Sequence, residues 1–135
     1  MSRFLLDTNI WILLLKQPPV FLRQRLGGES ADNLVTCSVV KAELWHGALK
    51  HQDVRERQKI VENLLSPYVS LPFDDAAARH YGFIRHDLET RGQVIGPNDL
   101  KIAAICLAHG LTLVSNNTNE FSRVAGLKLE DWTKA

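Results

Sequence analysis

The chain has 135 residues, of which 45% are hydrophobic, and its 16 basic residues nearly balance its 15 acidic ones. This length and composition predict one domain, residues 1–135, with an ordinary core that needs neither a disulfide nor a metal in order to fold. Because the net charge is close to zero, the overall electrostatic field of the protein would not attract nucleic acid or a membrane surface. An anionic substrate would therefore need local cations or a bound metal.

The cysteines and the N-terminal stretch indicate a reducing compartment. Cys37 and Cys106 lie in apolar contexts without metal-ligand spacing, so we expect buried, reduced thiols. The longest apolar run, residues 10–15, is too short to span a bilayer, and the N-terminal stretch does not resemble a secretion leader. We therefore expect a cytoplasmic protein that makes no membrane contact.

The first half of the chain alternates short apolar runs with segments of helical periodicity. In chain order we expect a strand over residues 3–6, helices over 8–15 and 19–26, a loop over 29–33, a strand over 34–37, and helices over 38–50 and 53–65. Pro18 and Pro19 open the second of these helices, and Gly27 is expected at its end. Ser38 is a suitable N-cap for the helix that follows the second strand.

The second half continues the alternation. In chain order we expect a strand over residues 69–71, a helix over 75–90 capped by Asp74 or Asp75, a turn over 96–98 that caps a helix running to about 109, a strand over 111–115, a polar loop over 116–120 and an edge strand over 127–129. Gly92 and Gly110 stand just beyond the two helices, a position where glycine commonly ends a helix. Strands that alternate with helices predict a parallel sheet covered on both faces, with the carboxyl ends of its strands along one edge.

Three carboxylates occupy positions where an apolar residue would pack better. Asp7 directly follows the first strand, Glu43 lies on the inward stripe of its helix with no Lys or Arg one turn away, and Asp99 lies on the apolar stripe of its own helix. Each has a structural alternative, since Asp7 could cap a helix and Asp99 could complement a helix dipole in a turn capped by Asn98. Converging carboxylates repel one another, and a hard divalent cation such as Mg²⁺ or Mn²⁺ relieves that repulsion.

A polar loop after the fourth strand is a candidate to complete such a site. Asn117 offers a carbonyl oxygen, whereas Ser115 and Asn116 could bind water held by a metal, and Glu120 is a further acid nearby. A run of Asn and Ser is also typical of an ordinary turn, so the sequence leaves both interpretations open.

Four short elements, taken in order and at their separations, resemble one known family. They are Asp7-Thr8-Asn9, Glu43-Leu44-Trp45-His46-Gly47, Gly96-Pro97-Asn98-Asp99 with Ile102-Ala103-Ala104 after it, and the run from Leu113 to Phe121. With these elements and the closing residues 126–127 and 130–132, essentially the whole chain resembles the PIN-domain ribonucleases, and in particular the VapC toxins of bacterial VapBC toxin–antitoxin modules.

The resemblance implies an α/β fold, a three-layer α/β/α sandwich with a parallel five-stranded sheet of order 3-2-1-4-5, and a Mg²⁺- or Mn²⁺-dependent endoribonuclease. The acids of the family correspond to Asp7, Glu43 and Asp99, which would hold the metal. The fourth family position, often Asp, falls on Asn117, which leaves a second metal open. By analogy the substrate is structured RNA, plausibly the anticodon loop of initiator tRNA. In-line attack of water would leave 3′-hydroxyl and 5′-phosphate ends.

Candidate contacts for RNA are local polar and basic side chains near the expected sheet edge. Those singled out for substrate contact are Thr8, Ser115, Asn116 and Lys101, and further cations near by are Lys41, Arg79, Arg85, Arg91 and Arg123. The five histidines are scattered, and none is expected beside a strand end. Metal-free acid–base chemistry, which would leave a 2′,3′-cyclic phosphate, is therefore disfavoured.

The first two helices carry more apolar surface than one sheet face needs. Trp11, Leu14 and Leu15 lie on the first, and Phe21 and Leu22 on the second. By the resemblance, this region would receive a VapB-type antitoxin, which would push a basic or aromatic side chain into the acidic pocket. The resemblance also implies a homodimer, a toxin–antitoxin hetero-oligomer and contact with DNA only through the antitoxin.

Two other functions stay open at this stage. A haloacid-dehalogenase-like phosphotransfer domain also uses a strand-end Asp, but it usually has a second Asp two residues later, where this chain has Asn9. A non-catalytic RNA- or protein-binding domain of the same fold is the other possibility. Retention of all three acids argues against it.

Overall fold

A five-stranded parallel sheet forms the middle layer of the computed structural model, which describes residues 3–135 and leaves residues 1 and 2 of the predicted domain outside its range. The strands are β1 (Phe4–Leu6), β2 (Leu34–Cys37), β3 (Val69–Leu71), β4 (Thr112–Val114) and β5 (Lys128–Glu130). Their order is 3-2-1-4-5 and every pairing is parallel, which confirms the predicted fold class.

Helices alternate with the strands along the chain, and they cover the sheet. They are α1 (Thr8–Leu15), α2 (Val20–Gly27), α3 (Ser38–Leu49), α4 (Val54–Leu65), α5 (Asp75–Thr90), α6 (Pro97–His109) and α7 (Thr118–Phe121), with a short 3₁₀ turn at Ala31–Asn33. The central strands are apolar and buried on both faces, as in other parallel sheets that lie between helices.

The core is centred on β1 and its two neighbours. Leu5 pairs with Val35 of β2 on one side and with Leu113 of β4 on the other, and all three are essentially inaccessible to solvent. Helix α6 packs its apolar stripe into the same core and ends at Gly110, whose φ of 64° is left-handed backbone that glycine adopts without strain. These contacts fix the carboxyl ends of β1 and β4 next to the start of α6.

Most expected boundaries agree with the structure to within one residue, but three local expectations were wrong. Cys37, not Ser38, is the N-cap of α3, because the change from extended to helical backbone falls on the last residue of β2. Gly96 caps α6, since Pro97 is already its first helical residue, so Asn98 lies inside the first turn. The expected loop over residues 116–120 is partly helical, because α7 begins at Thr118 with Asn117 as its N-cap.

The cysteines are buried free thiols, as expected. Burial raises the pKa of Cys37 to about 11, so this thiol stays protonated and unreactive. Within residues 3–135, no helix has both the length and the apolar character needed to cross a bilayer.

Candidate active site

Asp7 lies at the carboxyl end of the central strand, where the chain turns into α1. Its backbone N–H donates to the carbonyl of Val114 at 2.9 Å, which continues the β1–β4 pairing past the end of the strand. Its Oδ1 accepts the N–H of Thr8 at 2.8 Å, and its Oδ2 accepts the hydroxyl of Ser115 at 2.9 Å. Asp7 is therefore the N-cap of α1, and it also lies at the sheet edge where ligands bind in open α/β folds.

The environment of Asp7 opposes its ionisation. Its side chain is only 3% exposed, and burial raises its pKa above the usual value for aspartate. The hydrogen bonds from Ser115 and Thr8 lower the pKa, whereas the nearby charge of Glu43 raises it further. A cation at this position would favour the ionised carboxylate.

Glu43 reaches the same region from α3. The side chain is half-buried, and its Oε1 accepts a hydrogen bond of 2.7 Å from the hydroxyl of Thr8. Thr8 thus touches both acids, because its backbone N–H bonds Asp7 and its hydroxyl bonds Glu43. One residue of α1 fixes two carboxylates that lie 36 positions apart in the sequence.

Asp99 completes the group from the first turn of α6. It is half-buried, and burial together with the negative charges of Asp7, Glu43 and Glu120 raises its pKa to about 6. Asp7, Glu43 and Asp99 all line one cleft, so the structure places these three predicted site residues together.

An open cleft of about 410 Å³ connects the three carboxylates. It is lined by Asp7, Thr8, Asn9 and Ile12 near the start of α1, by Glu43, His46, Gly47 and Lys50 along α3, and by Asn98 and Asp99 at the start of α6. Across the described part of the chain, none of the three carboxylates forms an ion pair with a basic side chain. Their negative charge is therefore not balanced by a salt bridge within the described residues.

The donor set in this cleft fits a hard divalent cation. All the candidate ligands are carboxylate oxygens, which suit Mg²⁺ or Mn²⁺ better than zinc. In residues 3–135, however, no three His, Cys, Asp or Glu side chains are grouped closely enough to hold one metal ion as they stand. Thr8 holds Glu43, and Ser115 holds Asp7, through hydrogen bonds at the cleft.

Of the other predicted site residues, Thr8 lines the cleft, whereas Ser115, Asn116, Asn117 and Lys101 do not. Ser115 is fully buried, and its oxygen accepts the N–H of Asn117 at 2.9 Å while its hydroxyl bonds Asp7. Asn117 thus reaches the acids through Ser115, and its side chain does not line the cleft. Asn116 and Lys101 do not line it either.

The predicted partner surface is smaller than the sequence indicated. Trp11 is 1% exposed and packs against Tyr68 with ring centroids 5.3 Å apart, so it belongs to the core and offers no surface. Leu14 and Leu15 are half-buried, and Phe21 on α2 is 47% exposed. The apolar surface on the first two helices therefore includes these three residues and Val20, which is 53% exposed, but not Leu22, which is buried.

Two cleft residues on α3, His46 and Lys50, were not predicted from the sequence as site residues. No histidine was expected beside a strand end, and His46 reaches the cleft from α3, about one turn after Glu43. The signal was present, since residues 43, 46 and 50 share one helical face. Lys41 instead lines a groove against α4 with Trp45 and is not among the cleft residues.

The predicted arginines near the sheet edge are mostly engaged elsewhere. Arg85 pairs with Glu89 and Arg91 with Asp87, both along α5. Arg123 donates to the carbonyl of Val94. A role for these arginines in holding substrate at the cleft gains no support from their contacts.

Comparison with known proteins places the chain in a family. The PIN domain family matches residues 4–127. The chain is 40% identical to a tRNA(fMet)-specific endonuclease VapC from Shigella flexneri, over 98% of this chain and 100% of that protein, and 37% identical to ribonuclease VapC2 from Haemophilus influenzae, over 98% and 99%. A solved DNA-bound VapBC from Salmonella typhimurium superposes with a TM-score of 0.91 at 36% identity, covering 98% of this chain and 99% of that one. The chain therefore belongs to the PIN-domain family and, within it, to the VapC ribonucleases of VapBC toxin–antitoxin systems.

Proposed function

We propose that this protein is a toxin that cleaves RNA at the cleft formed by Asp7, Glu43 and Asp99, with Mg²⁺ or Mn²⁺ as its cofactor. The observation that carries the proposal is the convergence of three carboxylates from β1, α3 and α6 on one open cleft, without a basic partner among the described residues. Uncompensated carboxylates at a strand end are costly unless they serve a ligand.

Asp7 and Asp99 would hold the cation, and Glu43 would complete its oxygen environment or orient the attacking water. When bound, the cation would supply positive charge to the scissile phosphate and acidify water. Thr8 restrains Glu43 through its hydroxyl, and Ser115 favours the ionised form of Asp7. The backbone N–H of Asn117 donates to the hydroxyl oxygen of Ser115 and so helps to hold the serine that bonds Asp7. Through this backbone contact, Asn117 would support the site from the start of α7.

Transfer RNA is the substrate that the relatives favour. One relative is named for cleavage of tRNA(fMet), and it matches this chain over its whole length. We infer that this protein cleaves initiator tRNA, in the anticodon loop. Because tRNA is cytoplasmic, the protein would act in the cytoplasm.

A VapB-type antitoxin is the proposed partner. The solved relative from Salmonella typhimurium is a VapBC complex bound to DNA. In this chain, exposed Phe21 and half-buried Leu14 and Leu15 offer apolar contacts on adjacent helices. We propose that these residues contact the antitoxin, that the toxin forms a homodimer within a hetero-oligomer, and that DNA is contacted only through the antitoxin.

Cleavage of a small RNA panel tests the function. Purified protein is incubated with initiator tRNA, elongator methionine tRNA and an unrelated hairpin, in Mg²⁺, in Mn²⁺ and in EDTA. We expect cleavage of initiator tRNA with either metal, loss of cleavage in EDTA, and products with 3′-hydroxyl and 5′-phosphate ends.

A pair of matched variants separates chemistry from folding. Asp99→Asn should abolish cleavage, whereas Asp75→Asn should retain it, because Asp75 also lies in a first helical turn but is exposed outside the cleft. Cyclic phosphate ends, or cleavage that persists in EDTA, would contradict the metal mechanism. RNA that is bound but never cut by the wild type would favour the non-catalytic alternative.

A further inference from the structure

We propose that His46, Gly47 and Lys50 form a phosphate-binding wall, which holds the RNA backbone on one side of the cut. This proposal rests on the proposed ribonuclease function and adds to it a binding surface and a direction for the substrate strand. Its basis is the face that α3 presents to the cleft. An acid, an imidazole, a glycine and an ammonium group line it in that order: Glu43, His46, Gly47 and Lys50.

The spacing on α3 places the two basic side chains beyond the acids along the cleft. A helix rises 1.5 Å per residue, so His46 lies about 4.5 Å and Lys50 about 10.5 Å from Glu43 along the axis. Residues 43, 47 and 50 differ by close to whole turns, and all point to the same side. If the scissile phosphate of an RNA strand lies at the acids, the neighbouring phosphates of that strand would lie along this line.

The basic side chains are confined to one wall of the cleft. The α1 side contributes Thr8, Asn9 and Ile12, and the α6 side contributes Asn98 and Asp99, so neither supplies a positive group. His46 and Lys50 are the basic side chains among the lining residues. Because the nearly neutral chain has no strong overall field, a polyanion has to be held by local cations.

Both basic side chains are available to a ligand. His46 and Lys50 are exposed, and within residues 3–135 neither forms a salt bridge or a side-chain hydrogen bond. An imidazole N–H and an ammonium group both donate to phosphate oxygens. Their counterparts off the cleft, His51 and Lys41, do not line it.

Gly47 leaves the wall flat between the two basic residues. It lines the cleft, and a Cβ built there would meet no atom within 4 Å. Glycine lowers the stability of a helix interior, and nothing in the packing of α3 requires it at this position. Because residue 47 has no side chain, an RNA strand can approach the helix closely at this point.

RNA binding without cleavage gives the first test. Proteins carrying Asp99→Asn are titrated in EDTA into two labelled RNAs, the anticodon stem-loop of initiator tRNA and an unrelated single strand, at several salt concentrations. Added Lys50→Ala should weaken binding to both RNAs roughly threefold to tenfold and reduce the slope of log affinity against log salt by about 0.7. Lys41→Ala and His51→Ala should change neither quantity, whereas His46→Ala should weaken binding to both.

Cleavage kinetics give the second test, in the protein with its acids intact. Lys50→Ala and His46→Ala should raise KM and leave kcat nearly unchanged, because they remove binding that the ground state and the transition state share. Gly47→Leu should also raise KM by filling the cleft. Gly82→Leu on α5 should not, since Gly82 lies outside the cleft. The control is matched because a Cβ at Gly82 likewise meets no atom within 4 Å. Thermal unfolding of each variant verifies that it is folded.

The failures of the two proposals are distinguishable. If the wild type cuts no RNA, the proposed function fails, and an unchanged salt slope in Lys50→Ala overturns the phosphate wall independently. If the wild type cuts RNA but the His46 and Lys50 variants keep its KM and its salt slope, only the phosphate wall is overturned. Normal RNA binding by these variants together with weaker binding of an antitoxin peptide would also overturn it, by assigning the surface to a protein partner.

Discussion

The hydroxyl of Ser115 donates a hydrogen bond of 2.9 Å to Oδ2 of Asp7, and so joins the carboxyl ends of β4 and β1. The serine is fully buried, and its oxygen also accepts the N–H of Asn117. This second bond leaves the hydroxyl proton directed at the carboxylate. Because a donated hydrogen bond favours the charged form, Ser115 lowers the pKa of an aspartate that burial would otherwise raise further.

Ser115→Ala should therefore make Asp7 harder to ionise. We expect the acidic limb of the pH profile of kcat/KM to move to higher pH, because a larger fraction of Asp7 is protonated at each pH below neutrality. The free energy of unfolding should fall by about 1 kcal/mol, the usual value of a lost buried hydrogen bond. Cleavage rates across pH and urea unfolding measure the two effects.

Ser122→Ala is the matched control for this substitution. Ser122 is exposed, and its hydroxyl donates to the backbone carbonyl of Asn119, outside the cleft. Its pH profile should coincide with that of the wild type. A wild-type profile in Ser115→Ala as well would show that the Asp7 bond does not control ionisation.

Thr8 offers a second test, because its hydroxyl donates to Oε1 of Glu43 at 2.7 Å. Thr8→Val keeps the side-chain volume but removes this donor, so Glu43 should lose its fixed orientation. We expect cleavage to fall roughly tenfold to a hundredfold, as for other residues that orient ligands of a metal site. Thr8→Ser keeps a hydroxyl at the same position and should retain most of the activity. Equal losses in both variants would contradict a role for the hydroxyl bond.

The sequence was sufficient to predict the sheet and its acids because both depend on local patterns. The strand ending at Leu6 and the helix stripe that carries Asp99 are visible as runs and periods of apolar residues. The order of the strands came from family resemblance, since alternation alone is compatible with several topologies. The four strand pairings, with Leu5 between Val35 and Leu113 at the centre, confirm that order.

The sequence did not predict which side chains share the cleft, because that depends on packing between distant elements. Trp11 looked available on an apolar helix, yet Tyr68, from the segment before β3, covers it. His46 looked unrelated to the site, yet the packing of α3 turns it toward the cleft. Ser115 looked like a loop residue open to substrate, although its role as a buried donor to Asp7 depends on the β1–β4 pairing.

Burial of Asp99, together with repulsion from the other acids, should make the metal-free protein less stable as pH rises. The pKa of Asp99 is about 6 in the folded protein, above the ordinary value of 3.8, so between these values the folded state binds more protons than the unfolded state. The free energy of unfolding contributed by Asp99 is thus fully present below about pH 4 and is lost as pH rises through 6. The half-buried position limits this loss to roughly 1–3 kcal/mol.

Asp99→Asn removes this titrating group and should reduce the dependence of protein stability on pH. In EDTA, the difference in Tm between variant and wild type should grow in favour of the variant from pH 4 to pH 7, whereas Asp75→Asn should follow the wild type. Added Mn²⁺ should raise the Tm of the wild type at pH 7 and much less at pH 5, because protons compete for the carboxylates. Identical curves for Asp99→Asn and the wild type would show that the acids do not interact as inferred.

Arg25 of α2 packs against the C-terminal segment and connects it to the rest of the domain. Its guanidinium lies 4.5 Å from the ring centroid of Trp132 and 5.4 Å from that of Phe4, and the two rings meet edge to face at 5.0 Å. Arg25 also pairs with Glu29 and approaches Glu130, which accepts the indole N–H of Trp132 at 2.9 Å. The planar guanidinium therefore bridges the first strand and the last turn of the chain.

Arg25→Lys keeps the charge but loses the planar group that covers both rings, so we expect a loss of about 1 kcal/mol in the free energy of unfolding. Arg25→Ala should lose somewhat more, and both should expose the residues after β5 to carboxypeptidase. Arg23→Lys, at an exposed position of the same helix, should change neither quantity. Urea unfolding and timed digestion measure these effects. If Arg25→Lys is as stable as the wild type, the positive charge alone stabilises the C-terminal segment, and the stacking of the guanidinium on the two rings contributes little.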